Sequence, residues 1–214
     1  MKTHLASIAL GLSLSLSLSL GLGLFATAGT QAAEPAAPAL QLGERLAKPG
    51  PAIKGKAEGQ TNYRQTEWDA LVPKGWDPQA AFKGLDFAKL SDSDPRAAAA
   101  MKQVQEAWNQ APAEPLMNDQ RIRIAGFVVP LDGGQTAGVQ EFLLVPYFGA
   151  CVHSPPPPAN QIIHVRAAKP FKGMKMMDAV WINGTLKAEK SDTAEGVSGY
   201  TMSSELVTPY QWPK

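Results

Sequence analysis

A cysteine and a histidine two residues apart, Cys151 and His153, are the residues of this chain best suited to chemistry. Cys151 is the only cysteine in the 214-residue sequence, and four consecutive prolines, Pro155 to Pro158, follow shortly after it. A thiolate and a neutral imidazole are common ligands of Zn²⁺ and copper in proteins. On an extended chain the two side chains can point to the same face, and the prolines restrict the backbone. The segment therefore predicts a transition-metal site in a proline-rich loop.

Two side chains do not complete a metal site, so further ligands must come from elsewhere in the chain. His164 is the third candidate ligand after the Cys-His pair, and Asp132, Glu141 or a nearby methionine are the others. Because His4 lies in a segment expected to be removed as a signal peptide, the mature chain keeps two histidines. A closed four-ligand zinc site of cysteine and histidine therefore cannot form, whereas an open three-ligand site can. We expect zinc here, with copper as the alternative.

Three methionines, Met174, Met176 and Met177, form a second group of soft side chains. Thioethers beside a thiolate and an imidazole would suit Cu(I) better than zinc. Methionine also fills irregular gaps in a hydrophobic core, and we favour that interpretation for these residues.

The first 28 residues have the features of a secretory signal peptide. A short positive start, Met1–Lys2, precedes the apolar run Leu5–Phe25 and the small-residue pattern Ala26-Thr27-Ala28. The alternative is an uncleaved anchor, since the run approaches the ~20 residues that span a bilayer. No cysteine lies near the cleavage point, which argues against a lipoprotein. We expect a periplasmic or secreted protein with no transmembrane segment after cleavage.

The segment after the signal peptide, residues 29–62, is rich in Ala, Pro, Gly and Lys and predicts a disordered leader. Order is predicted from Tyr63 onward, with Trp68–Trp76 forming a turn whose large side chains cover the core. The sequence has 20 basic and 19 acidic residues. Loss of Lys2 with the signal peptide leaves 19 of each. A net charge near zero disfavours binding to nucleic acid.

Several functions remain open for a lone cysteine in an exported chain, because it cannot form an internal disulfide. It is a buried apolar residue, a metal ligand, a reactive thiol or a link to another chain. A direct nucleophile–base pair is disfavoured, since residues i and i+2 of an extended chain seldom hydrogen-bond each other. Motifs such as Gly-x-Ser-x-Gly, His-Glu-x-x-His and paired redox cysteines are missing. We expect a non-enzymatic protein. The alternative is a protein-interaction module with a purely structural Cys-His-Pro turn, and a redox or thiol enzyme ranks third.

One helix and five strands are predicted to position these residues. Asp94-Pro95 opens the helix, because Asp can cap it and Pro is tolerated at the first helical position. Apolar residues then recur on one helical face, at Ala97, Met101, Val104 and Trp108. The predicted strands are Arg121–Leu131, Phe142–Tyr147, Ile162–Val165, Ala179–Leu186 and Tyr200–Val207. Five short strands after one helix predict a small closed or nearly closed barrel, with a bulge at Ala125-Gly126.

Several segments resemble a family of exported bacterial proteins catalogued as domain of unknown function 3299. These segments are Gly126–Leu131, Phe142–His153, Pro155–Pro158, Asn160-Gln161, the Trp68-Asp69-x-Leu71-x-Pro73 pattern and the Val180-Trp181-x-x-Gly184-x-Leu186 pattern. The resemblance covers roughly Tyr63 to Tyr210. It implies a periplasmic OB-like β-barrel over residues 63–214, with a helical lead-in and no settled activity. It also implies a link to metal handling and to a periplasmic or inner-membrane transport component. His164 is not carried over, because an aromatic or aliphatic residue is expected there.

Overall fold

The computed structural model describes residues 38–46, 62–85, 94–131, 138–150 and 156–212, all within the unit Ala37–Lys214. The predicted signal peptide lies outside the described residues. So do Asp132 and the two central residues of the predicted metal site, Cys151 and His153.

The predicted helix is present as α1, Pro95–Asn109. It begins where the sequence indicates, because the Asp94 carboxylate accepts a hydrogen bond from the Arg96 amide at 2.9 Å. Ala100 and Val104 are the buried residues of its apolar face. Before the helix, a 3-10 turn at Trp68–Leu71 covers the core as predicted. The Trp68 indole Nε1 donates to the Ala125 carbonyl at 2.7 Å, which ties this turn to the barrel.

The described residues contain eight strands, of which five are long enough to have been predicted from the sequence. They are β1 (Arg64–Gln65), β2 (Gln120–Pro130), β3 (Val139–Val145), β4 (Ile163–Phe171), β5 (Ala179–Lys187), β6 (Ser191–Thr193), β7 (Gly196–Ser198) and β8 (Tyr200–Pro209). The short β6 and β7 form a hairpin within the connection from β5 to β8.

The five long strands close into a barrel in the order β2-β3-β4-β8-β5, with β5 returning to pair with β2. The pairs are antiparallel except β4–β8, which is parallel. The last strand therefore lies between the third and the fourth. This is a five-stranded Greek-key barrel of the OB type, as the resemblance implies. β1 adds a short parallel pairing to β2, with Arg64 opposite Ile122.

The barrel interior is formed by alternate residues of the five strands. Buried side chains there are Ile122, Ile124, Val128, Phe142, Leu144, Ile163, Val165, Val180, Ile182, Leu186, Tyr200 and Met202. β3 is buried on both faces, because its intervening residues Leu143 and Val145 belong to a second cluster outside the barrel. Burial on both faces explains why the second half of this strand, Phe142–Val145, is continuously apolar in sequence rather than alternating.

The predicted bulge at Ala125-Gly126 is wrong. β2 pairs with β5 without a register shift from Gln120 to Phe127. Gly126 is required instead by close packing, because a Cβ there would lie 2.7 Å from Leu144 Cγ and 2.8 Å from the Val145 carbonyl oxygen. The register shifts of the barrel lie elsewhere, at Val139/Glu141 and Asn183/Gly184.

Nine residues within the predicted leader, Pro38–Leu46, lie against the barrel, and we call them the strap. Leu40 and Leu46 pack on the second apolar cluster. Backbone hydrogen bonds join Gly43 and Glu44 to Phe148, both at 2.9 Å. The strap therefore covers the outer face of β3 next to the start of the Cys-His segment.

Candidate functional site

The two arms of the predicted Cys-His turn are described, although residues 151–155 are not. The first arm, Tyr147–Ala150, follows β3, and the second arm, Pro156–Ile162, leads into β4. Ala150 and Ile162 are 2% and 0% exposed and belong to the same apolar cluster. The chain therefore leaves and re-enters the barrel through buried residues on either side of Cys151 and His153.

The first arm is fixed by two neighbouring segments. The strap bonds the backbone of Phe148, as described above, and the Gly149 amide donates to the Met177 thioether at 3.4 Å. Gly149 has a φ of +82°, a conformation that favours glycine, and a Cβ there would collide with Leu42. The Met177 sulfur thus lies beside Gly149, two residues before Cys151 in the chain.

The second arm is fixed by Asn160 and Gln161, which are 0% and 7% exposed. The Asn160 amide donates to the Pro112 carbonyl at 3.1 Å, and the Gln161 amide donates to the Trp68 carbonyl at 3.0 Å. Asn160 Oδ1 is buried with no hydrogen-bond partner among the described residues. These two residues join the proline segment to the chain that precedes the barrel, which gives them a structural role.

His164, the predicted third ligand, lies on β4 with its imidazole 4% exposed. Its Nδ1 is 2.8 Å from Ser191 Oγ, and its Nε2 is 2.8 Å from Glu141 Oε1. An ionised carboxylate only accepts, so Nε2–H donates to Glu141 and, in the neutral ring, Nδ1 accepts the Ser191 hydroxyl proton. Both ring nitrogens are therefore engaged within the protein.

Glu141 supports this arrangement from the other side. Arg166 Nε donates to the same Oε1 atom at 3.0 Å. Partial burial raises the pKa of Glu141, but the hydrogen bonds from Arg166 and His164 outweigh it and hold the pKa below its usual value. The carboxylate stays ionised near neutral pH and keeps the imidazole oriented.

Serine, histidine and glutamate in one hydrogen-bonded chain resemble the members of a hydrolase triad, but the order is reversed. In such triads the serine lies on Nε2 and the carboxylate on Nδ1. Here Ser191 is on Nδ1 and Glu141 is on Nε2. The buried ring joins β4 to the β6–β7 hairpin, and we assign it to holding these elements together. Ser191 had no signal in the sequence, because a three-residue strand shows no periodicity.

The three methionines have different surroundings. Met174 is 6% exposed and belongs to the main core cluster, whereas Met176 is 51% exposed and lines an apolar groove with Met177. Met177 contacts the first arm and has a positive φ of 65°, which is strained for a residue with a side chain. Met177 is therefore the methionine whose thioether contacts the first arm.

An open apolar groove of ≈ 650 Å³ lies beside the first arm. Its wall includes Leu40, Phe148, Phe171, Met176 and Trp212. Within the described ranges no cluster of three or more His, Cys, Asp or Glu residues could hold a metal ion. In that same part of the chain, no helix is long and apolar enough to cross a membrane.

A family model described as a protein of unknown function, DUF3299, matches residues 68–209. The chain belongs to the DUF3299 family. A crystal structure of a DUF3299 family protein from Pseudomonas aeruginosa PAO1 is similar to it, with 32% sequence identity and a TM-score of 0.57. That match covers 71% of this chain and 99% of the other. No curated protein matches the chain. The matched region contains the barrel, both arms and the Cys-His turn of this DUF3299 protein.

Proposed function

We propose that this DUF3299 protein is a non-enzymatic, exported protein that binds or handles a transition metal, with Cys151 and His153 as its first ligands. The observation that supports the proposal most is the fixation of both arms of the turn. Ala150 is buried before the turn, and Asn160, Gln161 and Ile162 are buried after it. A turn held at both ends by buried contacts loses little entropy on binding a ligand.

The third ligand decides which metal the site would prefer. His164 can serve only if it gives up Glu141 or Ser191, since both of its nitrogens are bonded. The Met177 thioether is the alternative, because it contacts Gly149, two residues before Cys151 in the chain. A thiolate, an imidazole and a thioether suit Cu(I), whereas an open Cys-His site with His164 or water suits zinc.

A second candidate is a protein-interaction module, and the apolar groove favours it. Met176 is 51% exposed and lines this groove together with Leu40 and Trp212. A contiguous apolar surface of this kind is typical of an interaction site. The two functions are compatible, since a metal-handling protein would transfer its metal to a periplasmic or inner-membrane transport component. In the interaction module alone, the Cys-His-Pro turn is structural.

Elemental analysis of the purified mature protein tests the proposal. We expect about one zinc or copper per chain in the wild type and loss of that metal in Cys151→Ser. Met177→Leu should weaken Cu(I) binding at least tenfold and leave zinc binding unchanged if the thioether is a ligand. Met176→Leu is the matched control, because this methionine is exposed.

Two results would contradict the metal assignment. One is an unchanged metal content in Cys151→Ser. The other is the lack of zinc and copper in the wild type, even after reconstitution under reducing conditions. The first result would remove Cys151 from the ligand set. The second would favour the interaction module, with Cys151 as a buried apolar residue.

A further inference from the structure

Arg123 is a half-buried cation on the outer face of the barrel. Its neighbours in β2, Ile122 and Ile124, belong to the barrel interior, so the Arg123 side chain lies on the other face. The guanidinium carbon is 4.1 Å from the centroid of the Trp181 ring, which is a cation–π contact. Within the described part of the chain the Arg123 side chain forms no ion pair or hydrogen bond, and its Nε is buried. The described residues therefore supply no counterion for this charge.

A second buried donor lies directly opposite Arg123, on β5. Arg123 and Asn183 are partners in the antiparallel β2–β5 register, which brings their Cβ atoms to within ~4.5–5.5 Å on the same face. Asn183 is 2% exposed, and its Nδ2 has no hydrogen-bond partner among the described residues. Proteins normally satisfy buried donors with a protein group, a water molecule or a bound ligand. Two neighbouring donors of this kind indicate a position for a hydrogen-bond acceptor from outside the described residues.

Aromatic packing fixes the orientation of the guanidinium. Trp181 is 7% exposed and stacks with Tyr210, with ring centroids 5.7 Å apart and an interplanar angle of 27°. Tyr210 packs edge-on against Trp212 at 5.1 Å. Because the guanidinium lies against a ring that is itself held in place, its donors are already oriented, and a ligand would bind at a small entropic cost.

Arg121, two residues earlier on the same face, has the acceptors that Arg123 lacks. Its Nη1 donates to Glu205 Oε1 at 2.9 Å, and its Nη2 donates to the Tyr63 hydroxyl at 2.7 Å. The hydrogen bond to Glu205 raises the pKa of Arg121, whereas burial lowers the pKa of Arg123. A carboxylate beside Arg123 would act against this effect of burial, because its negative charge stabilises the guanidinium.

We propose that Arg123 and Asn183 form a binding site for a carboxylate group, with Trp181 holding the guanidinium in place. The planar guanidinium donates charge-assisted hydrogen bonds to the carboxylate oxygens, and the Asn183 amide adds a neutral donor. One guanidinium balances the single charge of a carboxylate, whereas a phosphate carries up to two charges. The carboxylate belongs either to a small organic acid or to an acidic peptide segment. This site consists of described residues and does not depend on the metal proposal.

Titration of the ¹⁵N-labelled mature protein with sodium benzoate tests the site. The readout is the Nε–H signal of Arg123 in an NMR spectrum, which is identified by its loss in Arg123→Lys. We expect a saturable shift of this signal with a Kd of about 1 mM, the affinity of a site with few hydrogen bonds. Benzamide has a neutral amide in place of the carboxylate and should bind about tenfold more weakly, because hydrogen bonds to a charged acceptor are stronger.

Three variants test the assigned residues, with affinity measured by saturation transfer from the protein to the benzoate ring protons. Arg123→Lys keeps the charge but loses the planar set of donors, so benzoate should bind about tenfold more weakly. Arg121→Lys is the matched control and should leave the affinity unchanged, because Arg121 is already paired with Glu205. Asn183→Asp places a carboxylate of the protein itself opposite Arg123. It should compete with benzoate and weaken binding at least about tenfold while the circular dichroism spectrum stays that of the wild type.

An Arg123 signal that does not respond to about 10 mM benzoate, or that responds equally to benzamide, would overturn the proposal. Wild-type affinity in Arg123→Lys or in Asn183→Asp would overturn it too. Where benzoate binds as expected, the blocked peptide acetyl-Gly-Asp-Glu-Gly-amide identifies the source of the carboxylate. Tighter binding of the peptide than of benzoate would support an acidic peptide segment as the ligand, and weaker binding would support a small organic acid.

Discussion

At the scale of single residues, buried polar groups connect the barrel to the chain that precedes it. Tyr200 is fully buried, and its hydroxyl donates to the Leu71 carbonyl at 2.6 Å and accepts from the Glu114 amide. Gln161 makes the equivalent bond to Trp68. The side chains of Tyr200 and Gln161 form hydrogen bonds with backbone groups of segments that have no long helix or strand. Removing either side-chain group would leave buried backbone atoms without a hydrogen-bond partner.

Tyr200→Phe should therefore lower the free energy of unfolding by about 1–3 kcal/mol, since it leaves the Leu71 carbonyl and the Glu114 amide without their partner. Urea unfolding followed by circular dichroism measures the change. Tyr63→Phe is the matched control, because its hydroxyl makes an exposed contact with Arg121, and it should change stability by less than about 0.5 kcal/mol. Equal stability of Tyr200→Phe and wild type would show that water replaces the lost bonds.

The same tyrosine gives stability a dependence on alkaline pH. Burial raises the pKa of Tyr200 from 10.0 to about 12. The unfolded chain therefore releases this proton at lower pH than the folded chain, and the stabilisation present below pH 10 is lost as pH rises towards 12. The fall in unfolding free energy between these values should be smaller in Tyr200→Phe than in the wild type. Parallel curves for both proteins would contradict this assignment.

At the scale of elements, the strap and the β6–β7 hairpin cover opposite arms of the Cys-His turn. The strap bonds Phe148 in the first arm, and the hairpin contacts Pro156 and Ile162 in the second. Neither element belongs to the barrel ladder itself. The barrel can therefore stay closed while these two elements contact the arms on either side of residues 151–155.

Deletion of residues 29–61 tests the contribution of the strap. We expect a β-rich far-UV spectrum, because the barrel and α1 are intact, and a loss of about 2 kcal/mol from exposure of the apolar cluster beneath Leu40 and Leu46. In the full mature chain, Leu46→Ala should be destabilising and Leu42→Ala, at an exposed position, should not be. An unfolded spectrum for the shortened protein would instead make the strap essential for folding.

At the scale of the whole molecule, part of the surface that OB barrels use for ligands is covered by the chain itself. OB folds bind oligonucleotides through the second and third strands and the adjoining loops. In this barrel those strands are β3 and β4. Their outward residues Leu143, Val145 and His164 are buried, whereas Arg166 is exposed. The net charge near zero that is predicted for the mature chain disfavours nucleic-acid binding, and this stays a prediction.

The N-terminal segment predicts that the protein is exported. The charged start, apolar run and small residues of positions 1–28 predict cleavage near Ala28. When the full sequence is expressed in a Gram-negative bacterium, we expect the protein in the periplasmic fraction. The measured mass of the intact protein should equal that of the chain without residues 1–28. Recovery of the uncleaved chain from the membrane fraction would favour the anchor interpretation.

The sequence alone determined the elements whose signals are local. The cap and apolar face specified α1, because capping and side-chain periodicity depend on near neighbours. Apolar runs and alternation identified the five barrel strands, and four of them match within three residues at each end. β4 extends six residues beyond the predicted Val165, to Phe171, because its second half is mostly exposed and carries no apolar run. The Cys151–His153 pair was likewise found from spacing, and its metal stays a prediction. β1, β6 and β7 were missed, because strands of two or three residues carry no periodic pattern.

Only the tertiary structure decided how distant residues meet. The folded chain brings Trp68 to Gln161, 93 residues apart. The β3–β4 pairing and the β6–β7 hairpin place His164 between Glu141 and Ser191, at separations of 23 and 27 residues. No local pattern encodes such contacts, because they depend on strand order and register. These contacts give the Asn160-Gln161 pair a structural role and leave His164 with both ring nitrogens occupied. The place of His164 in the barrel, rather than its residue type, therefore decides what its imidazole contacts.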